Sequence, residues 1–565
     1  MHPHPDRTPK PAWAAPTGAT FRTRDQVDFV VIGAGSAGGI VARELARAGF
    51  SVVVLEQGPY FRADDFGHDE IAVNQLAQLT NDHQRFPNSW RPTEDATAVV
   101  QPVVRYGRMV GGGSNHYTGN FWRFHEIDFI ERSRKGTLAG TGFDDWPITY
   151  ADLEPYYTRV EWEIGVSGLA GSSPFDPPRS RPYPMPPLPR KSIGVLAEKA
   201  ARAMGWTAYP APMAINSVAY NGRPACIQCG FCLGYGCEVH AKSSTLATMI
   251  PDAERTGRCQ IRPMSTVTKI ETDRRGRVTG VQYLDAGRRG QFQRAKAVFL
   301  CANGAESPRL LLLSATSRHP DGLANASGMV GRHLMFNGAG GATAVFDHEV
   351  NGYRGMVDTR IIHDMYELDP ALGLIGGGGF DFRFAAGPIG FATRPAGQGG
   401  PRWGAEWKRN LRRYYTQSLN VAGHTTQLPL PTNRITLDPD LKDANGLPAI
   451  RVTFQDHPQD LQVMEWFRAR AVELAKAAGA SEIISNPVRR NFPQVHLLGT
   501  CRMGHDPRTS VVNASHRAHD VPNLFIVDGS SFVTSGRGQP TMTIMALAFR
   551  AAEHAARLAK QGALA

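Results

Sequence analysis

Two groups of residues carry chemistry by type and spacing: the glycines Gly33, Gly35 and Gly38 in G-x-G-x-x-G, and four cysteines within twelve positions, Cys226, Cys229, Cys232 and Cys237. The first glycine of such a motif makes a tight turn, the second lets backbone approach a pyrophosphate, and the third lets a helix pack closely. With Ser36 opening that helix, phosphate would rest on its positive N-terminus, and Glu56, ending the next apolar run, would accept ribose hydroxyl bonds. Dinucleotide binding follows; the motif alone does not separate FAD from NAD. The cysteines are spaced C-x2-C-x2-C-x4-C, with Gly230, Gly234 and Gly236 allowing the loop to fold round an inorganic core. Three readings stay open for them: an iron-sulfur cluster, a tetrahedral zinc, or unliganded thiols and a labile disulfide. An odd total of seven cysteines with one tight cluster argues against a disulfide framework.

The elements that must position these residues are legible in part. Val27 to Ile32 is a short apolar run rich in β-branched residues, Ser36 to Ala48 has helix-forming composition, and Ser51 to Glu56 is a second apolar strand. This is the β-α-β setting that a glycine fingerprint requires. The stretch from Phe61 to Arg105 is polar and irregular, and Phe175 to Arg190 is Pro-dense and extended. Ser192 to Met204 has helical spacing, and Ile261 to Tyr283 reads as strands around RRGR. Ala297 to Cys301 is a further buried strand, leading through ANGAESPR to a helix from Leu310. Residues 330 to 490 mix Gly-rich loops with alternating strands and one helix, Asp460 to Ala478, as suits an antiparallel sheet carrying a substrate pocket on one face. Leu524 to Asp528 and the amphipathic Thr541 to Lys560 return to nucleotide-like structure.

The expected organisation is therefore α/β and discontinuous. A flexible leader covers 1–25. A Rossmann-like dinucleotide-binding domain covers 26–329, with insertions at 61–105 and a Cys-rich loop at 225–240, and resumes over 495–565. A substrate domain with a mixed or antiparallel sheet covers 330–494. The formal net charge of +11 is Arg scattered along the chain, with no basic run of the kind that marks a nucleic-acid arm. No segment has the 18 consecutive apolar residues of a membrane span. The first residues have no apolar h-region and no twin arginine, which points to the cytoplasm, or to the periplasm if a signal-bearing partner carries the chain out.

Three later segments, GRMVGGGSNHYTGNFW, FLCANGAESPRLLLLS, and HLLGTCRMG followed by NLFIVDGSSFVTSGRGQPTMTIMALAFRAA, resemble the glucose-methanol-choline oxidoreductase family, from about Val27 to Leu558. The resemblance implies FAD. It places Gly112, Gly113, Ser114 and Asn115 in a loop against the flavin ring. His116 falls where some members tether the flavin covalently and others hold it without a bond. It assigns Val267, Ala302, Asp528 and Gly529 to the nucleotide, and the helix opening at Pro540 and Thr541 to the reduced ring. His496 matches the family's catalytic histidine, a group that would take the alcohol proton as hydride leaves. Gln539 stands where the family has a second catalytic Asn or His; glutamine donates to a substrate oxygen but does not titrate.

The implied function is oxidation of a CH-OH group, with a sugar or polyol favoured, and with electrons passed through an iron-sulfur cluster to a small subunit and a cytochrome acceptor. Some multi-subunit sugar dehydrogenases of the family carry such a cluster in the equivalent insertion. An oxygen-using oxidase of the same family and a flavin-containing lyase are the alternatives.

Overall fold

The computed structural model describes residues 18–384, 386–393, 400–491 and 495–564. Its nucleotide-side sheet is built from the apolar runs: Cys259–Arg262, Val52–Leu55, Val27–Ile32, Gly290–Leu300 and Leu524–Ile526 lie side by side and parallel. All four residues of Val52–Leu55 are buried, as expected of a strand covered on both faces. The amino-terminal half of Gly290–Leu300 continues antiparallel with Val278–Leu284, which pairs with Thr266–Thr272. The helix Ser36–Arg47 packs against the helix Thr541–Lys560, so the first and last long elements share one layer. Both ends of the chain thus build the nucleotide half.

Beyond it stands a six-stranded sheet in the order Glu482–Asn486, Gly338–Val345, Ser418–Thr425, Gly378–Arg383, Arg360–Ile362 and Ala208–Pro210. Strand alternation divides its residues between two faces. One face carries Ala342, Ala344, Leu419, Val421, Phe380 and Phe382, packed with the helix Pro458–Ala478. The other carries Ala339, His424, Asp381 and Arg383, and Ala339 lies opposite His424 in register.

Several expectations need correction. The segment 330–494 does not build this sheet alone, because Ala208–Pro210 supplies its edge strand and the helix Ser192–Ala203 its cover. The irregular stretch before Arg105 contributes the strands Asn88–Arg91 and Val99–Val100 to a small sheet with Arg434–Lys442 and Pro448–Thr453. A further helix, Gly404–Gln417, was not anticipated; its apolar stripe, Trp407, Leu411, Tyr414 and Tyr415, is only half-buried and is interleaved with charged residues. Of the supposed leader, residues 1–17 lie outside the described residues. Phe21, in its remainder, donates its N–H to Gln260 Oε1 at 3.0 Å and accepts from Arg262 at 2.7 Å, which fixes it to the sheet edge.

The helix expected from Leu310 begins at Asn303 and runs through Pro308. Proline has no N–H to give to the carbonyl four residues earlier, that of Gly304. The hydroxyl of Thr500 donates to that oxygen instead, at 2.7 Å.

Candidate active site

Segments from both ends and the middle of the chain enclose one cavity of about 1520 Å3. Pockets for single small ligands are roughly 300–1,000 Å3, so this volume suits a dinucleotide with a substrate beside it. Gly33, Gly35, Ser36, Glu56, Gly112, Gly113, His116, Val267, Ala302, Asp528, Gly529, Gln539, Pro540, Thr541 and His496 all line it.

The glycine turn is dictated by space. Gly33 has φ +93, and a methyl group there would stand 2.5 Å from the carbonyl oxygen of Cys301; on Gly38 it would stand 1.9 Å from the carbonyl oxygen of Gly33. Gly38 does not face the cavity but allows helix and strand to meet. Gly35 and Gly112 abut, since a methyl on Gly112 would lie 2.8 Å from the Gly35 Cα. Two of the helices that open on the cavity, Ser36–Arg47 and Thr541–Lys560, lack a side-chain cap. Their free N–H groups and positive ends are therefore available to anionic parts of a ligand. These features fit a bound flavin dinucleotide.

Several expected cofactor residues do different work. Ser114 Oγ donates to the Gly111 carbonyl at 2.7 Å and Asn115 Nδ2 to that of Val110 at 2.8 Å, so they shape the loop and do not line the cavity. Glu56 accepts the N–H groups of Ala34 and Gly58, both at 2.9 Å. Burial pushes its carboxyl up while those two bonds pull it down, and each oxygen keeps a lone pair for a ribose hydroxyl. Asp528 accepts from the Asn303 N–H and from the Ser307 hydroxyl, which places a carboxylate at the start of the helix Asn303–Leu313. His116 lines the cavity with a buried, unpartnered Nε2, and burial followed by the charges of Lys242 and Arg105 lowers its pKa to about 4.

His496 has φ +68, and its Nδ1 lies 2.8 Å from Asn337 Oδ1. An amide oxygen only accepts, so Nδ1 carries the proton and Nε2 presents a lone pair. Burial first, then the neighbouring His424 and Arg383, lower its pKa to about 3, which keeps the ring neutral and ready to accept a proton. Gln539 makes no hydrogen bond among the described residues, which leaves its amide for a ligand. Asn337 was invisible to sequence reasoning, because a lone asparagine carries no spacing signal. The polar wall of Asp381, Arg383 and His424 was overlooked too, although the alternation in FDFRF could have placed Asp381 and Arg383 on one face.

The four cysteines do not form the expected ligand set. Among the described residues, no three His, Cys, Asp or Glu side chains come together to hold a metal ion. Cys229 lines the cavity, while Cys232 is packed with Trp122 and Met356. The four thiols lie near enough to act on one another: burial first, then others of the four, raises the pKa of Cys226 and Cys229 and that of Cys232 to about 12. Cys237 sits in the same loop, its sulfur accepting the Lys242 N–H at 3.4 Å. The loop nonetheless belongs to the site. Lys242, buried, donates to the carbonyls of Tyr117, Cys232 and Tyr235, and the Gly234 N–H donates to the His116 carbonyl at 2.7 Å.

Family comparison agrees with this geometry. Residues 27–337 and 429–548 match the amino- and carboxy-terminal models of the GMC oxidoreductases. The chain belongs to that family. GMC oxidoreductases bind FAD and act on CH-OH groups, and this protein is accordingly an FAD-dependent oxidoreductase. It is 36% identical to 2-methyl-1,2-propanediol dehydrogenase of Mycolicibacterium austroafricanum, over 94% of this GMC chain and 96% of the relative. It is 31% identical to the fructose dehydrogenase large subunit of Gluconobacter japonicus, over 95% and 98%. Among solved structures, pyridoxine 4-oxidase from Mesorbium loti shares the fold with a TM-score of 0.60 at 18% identity, covering 93% of this chain and 98% of that one. The same GMC oxidoreductase fold is seen in formate oxidase of Aspergillus oryzae, with a TM-score of 0.63 at 16% identity over 97% and 100%.

Proposed function

We propose that this GMC oxidoreductase oxidises a polyol or sugar alcohol by proton abstraction at His496 and hydride transfer to flavin. The observation that carries this reading is the His496 to Asn337 bond, which leaves Nε2 unprotonated in the cavity. The bound flavin supplies the acceptor for the hydride of the carbinol carbon. Gln539, unspent on the protein, donates to the substrate oxygen as its negative charge develops. The polar sheet face of Arg383 and His424 receives the hydroxylated body of the substrate. The names of the relatives, a diol dehydrogenase and a sugar dehydrogenase subunit, support the substrate class and favour a dehydrogenase over an oxidase.

On the acceptor side we favour a cytochrome, reached through a small partner subunit. An iron-sulfur centre in the cysteine loop would require the four thiols to lose their protons and turn toward one another. Stoichiometric iron and sulfide in protein purified without oxygen would establish it, and no step of the mechanism depends on it.

The central test is anaerobic flavin absorbance during mixing with alcohols and sugars. Polyols should bleach the flavin, and His496→Ala should slow bleaching by at least roughly 10²-fold, the usual loss on removing a general base, while flavin stays bound. Bleaching at the original rate in that variant would remove His496 from the mechanism.

A further inference from the structure

The sheet face opposite the flavin segments holds three polar residues that alcohol oxidation at His496 does not itself require. Asp381 is fully buried, and both of its oxygens receive bonds from the Arg383 guanidinium, Nε to Oδ1 and Nη2 to Oδ2. His424 Nε2 lies 2.8 Å from the same Oδ2. Arg383 Nη2 also lies 2.9 Å from that ring nitrogen, but the carboxylate is the stronger partner, so Nε2 carries the proton and His424 Nδ1 is left with a lone pair. Arg383 uses Nε and Nη2 and keeps both N–H groups of Nη1. Arg383 and His424 line the cavity, and among the described residues neither Nη1 nor Nδ1 has a protein partner.

The pair therefore offers one free donor and one free acceptor, both anchored through one buried carboxylate. A hydroxyl group matches this, since it accepts and donates at once. A carboxylate has no proton for His424 Nδ1, and an ammonium has no lone pair for Arg383 and shares its charge.

The site also lies close to the base. Asn337, whose Oδ1 holds His496 Nδ1, gives its Nδ2 to the carbonyl of Thr425, the residue after His424. In register, Ala339 flanks the imidazole on one strand and Gly379 on the other, where the His363 ring packs close against the glycine. The reacting oxygen is already served by His496 and Gln539, so the free pair meets a different group of the substrate.

We propose that Arg383 and His424, anchored by Asp381, form a subsite for a second, neutral hydroxyl on the carbon next to the reacting carbinol. The preferred substrates are then vicinal diols and polyols, over mono-alcohols, hydroxy acids and amino alcohols. This rests on the reading that His496 oxidises alcohols.

The test uses the flavin-loaded enzyme, an artificial electron acceptor and four compounds of one shape: propanol, propylene glycol, β-hydroxyisobutyrate and alaninol, whose carbon beside the carbinol bears hydrogen, hydroxyl, carboxylate or ammonium. Propylene glycol should exceed each of the others in kcat/KM by roughly tenfold, as expected of added hydrogen bonds. His424→Phe, which removes the acceptor, and Arg383→Lys, which removes the fork, should bring propylene glycol to within about threefold of propanol, with KM carrying most of the loss. Equal kcat/KM for propanol and propylene glycol in the unaltered enzyme overturns the subsite and leaves alcohol oxidation standing. So does a preference for the acid or the amine. Bleaching by none of the four overturns alcohol oxidation itself, and the subsite with it.

Discussion

His496 is held twice, by a left-handed backbone and by Asn337, so the nitrogen that meets the substrate is chosen before any substrate arrives. Replacing Asn337 with Ala leaves Nδ1–H without its acceptor and frees the ring to turn or change tautomer. The rate of flavin reduction should fall about tenfold, equivalent to about 1.4 kcal/mol of activation free energy, with little change in flavin content. The pH profile belongs to the same residue. Because the free ring is pushed down to about 3, its neutral, active form persists as pH falls through the ordinary imidazole value of 6.5. The acid limb of kcat/KM should therefore lie well below 6.5, and an inflection at that value would contradict the environment described for His496. At this scale the sequence disclosed His496, Gln539 and the glycines, because each sits in a motif whose neighbours are also constrained. It concealed Asn337, Lys242 and the Asp381 pair, whose roles come from contacts between distant segments.

Elements are joined by bonds that no propensity scale anticipates. The helix Asn303–Leu313 passes through Pro308 because Thr500 satisfies the Gly304 carbonyl, and Thr500 lies in the same segment as His496. Thr500→Val keeps the shape and removes the donor. It should cost about 1–3 kcal/mol, the penalty for a buried carbonyl left unpaired, seen as a lower melting temperature. No change in melting would mean that the carbonyl finds another partner. Proline made that helix look like a loop. Apolar runs such as Val27–Ile32 and Val52–Leu55 were easy to read, since a strand buried on both faces needs little else. Gly404–Gln417 was hard to read for the converse reason, as its half-buried apolar positions stand among charged ones.

Across the whole molecule, buried neutral imidazoles set the response to acid. His333, His363 and His516 have pKa values lowered to about 3, in each case by burial first. Unfolding returns them toward 6.5, so between those values the unfolded chain binds more protons than the folded one. Their contribution to stability is complete above 6.5 and declines as pH falls through the window below it. Each adds up to roughly 1.4 kcal/mol of lost stability per pH unit there. Thermal melting should therefore fall steeply between about pH 6 and pH 4, and His516→Asn or His363→Gln should flatten the decline. A melting temperature that held constant over that range would refute the account.

The pairing of the helices Ser36–Arg47 and Thr541–Lys560 also has a consequence in time. A ribosome delivers the glycine turn about 500 residues before the opposing helix. Until then the nascent chain has half a nucleotide site and an apolar helix face with no cover. Capture of the flavin must therefore wait until the later helix has been made, and chaperones have that interval in which to shield the unfinished half.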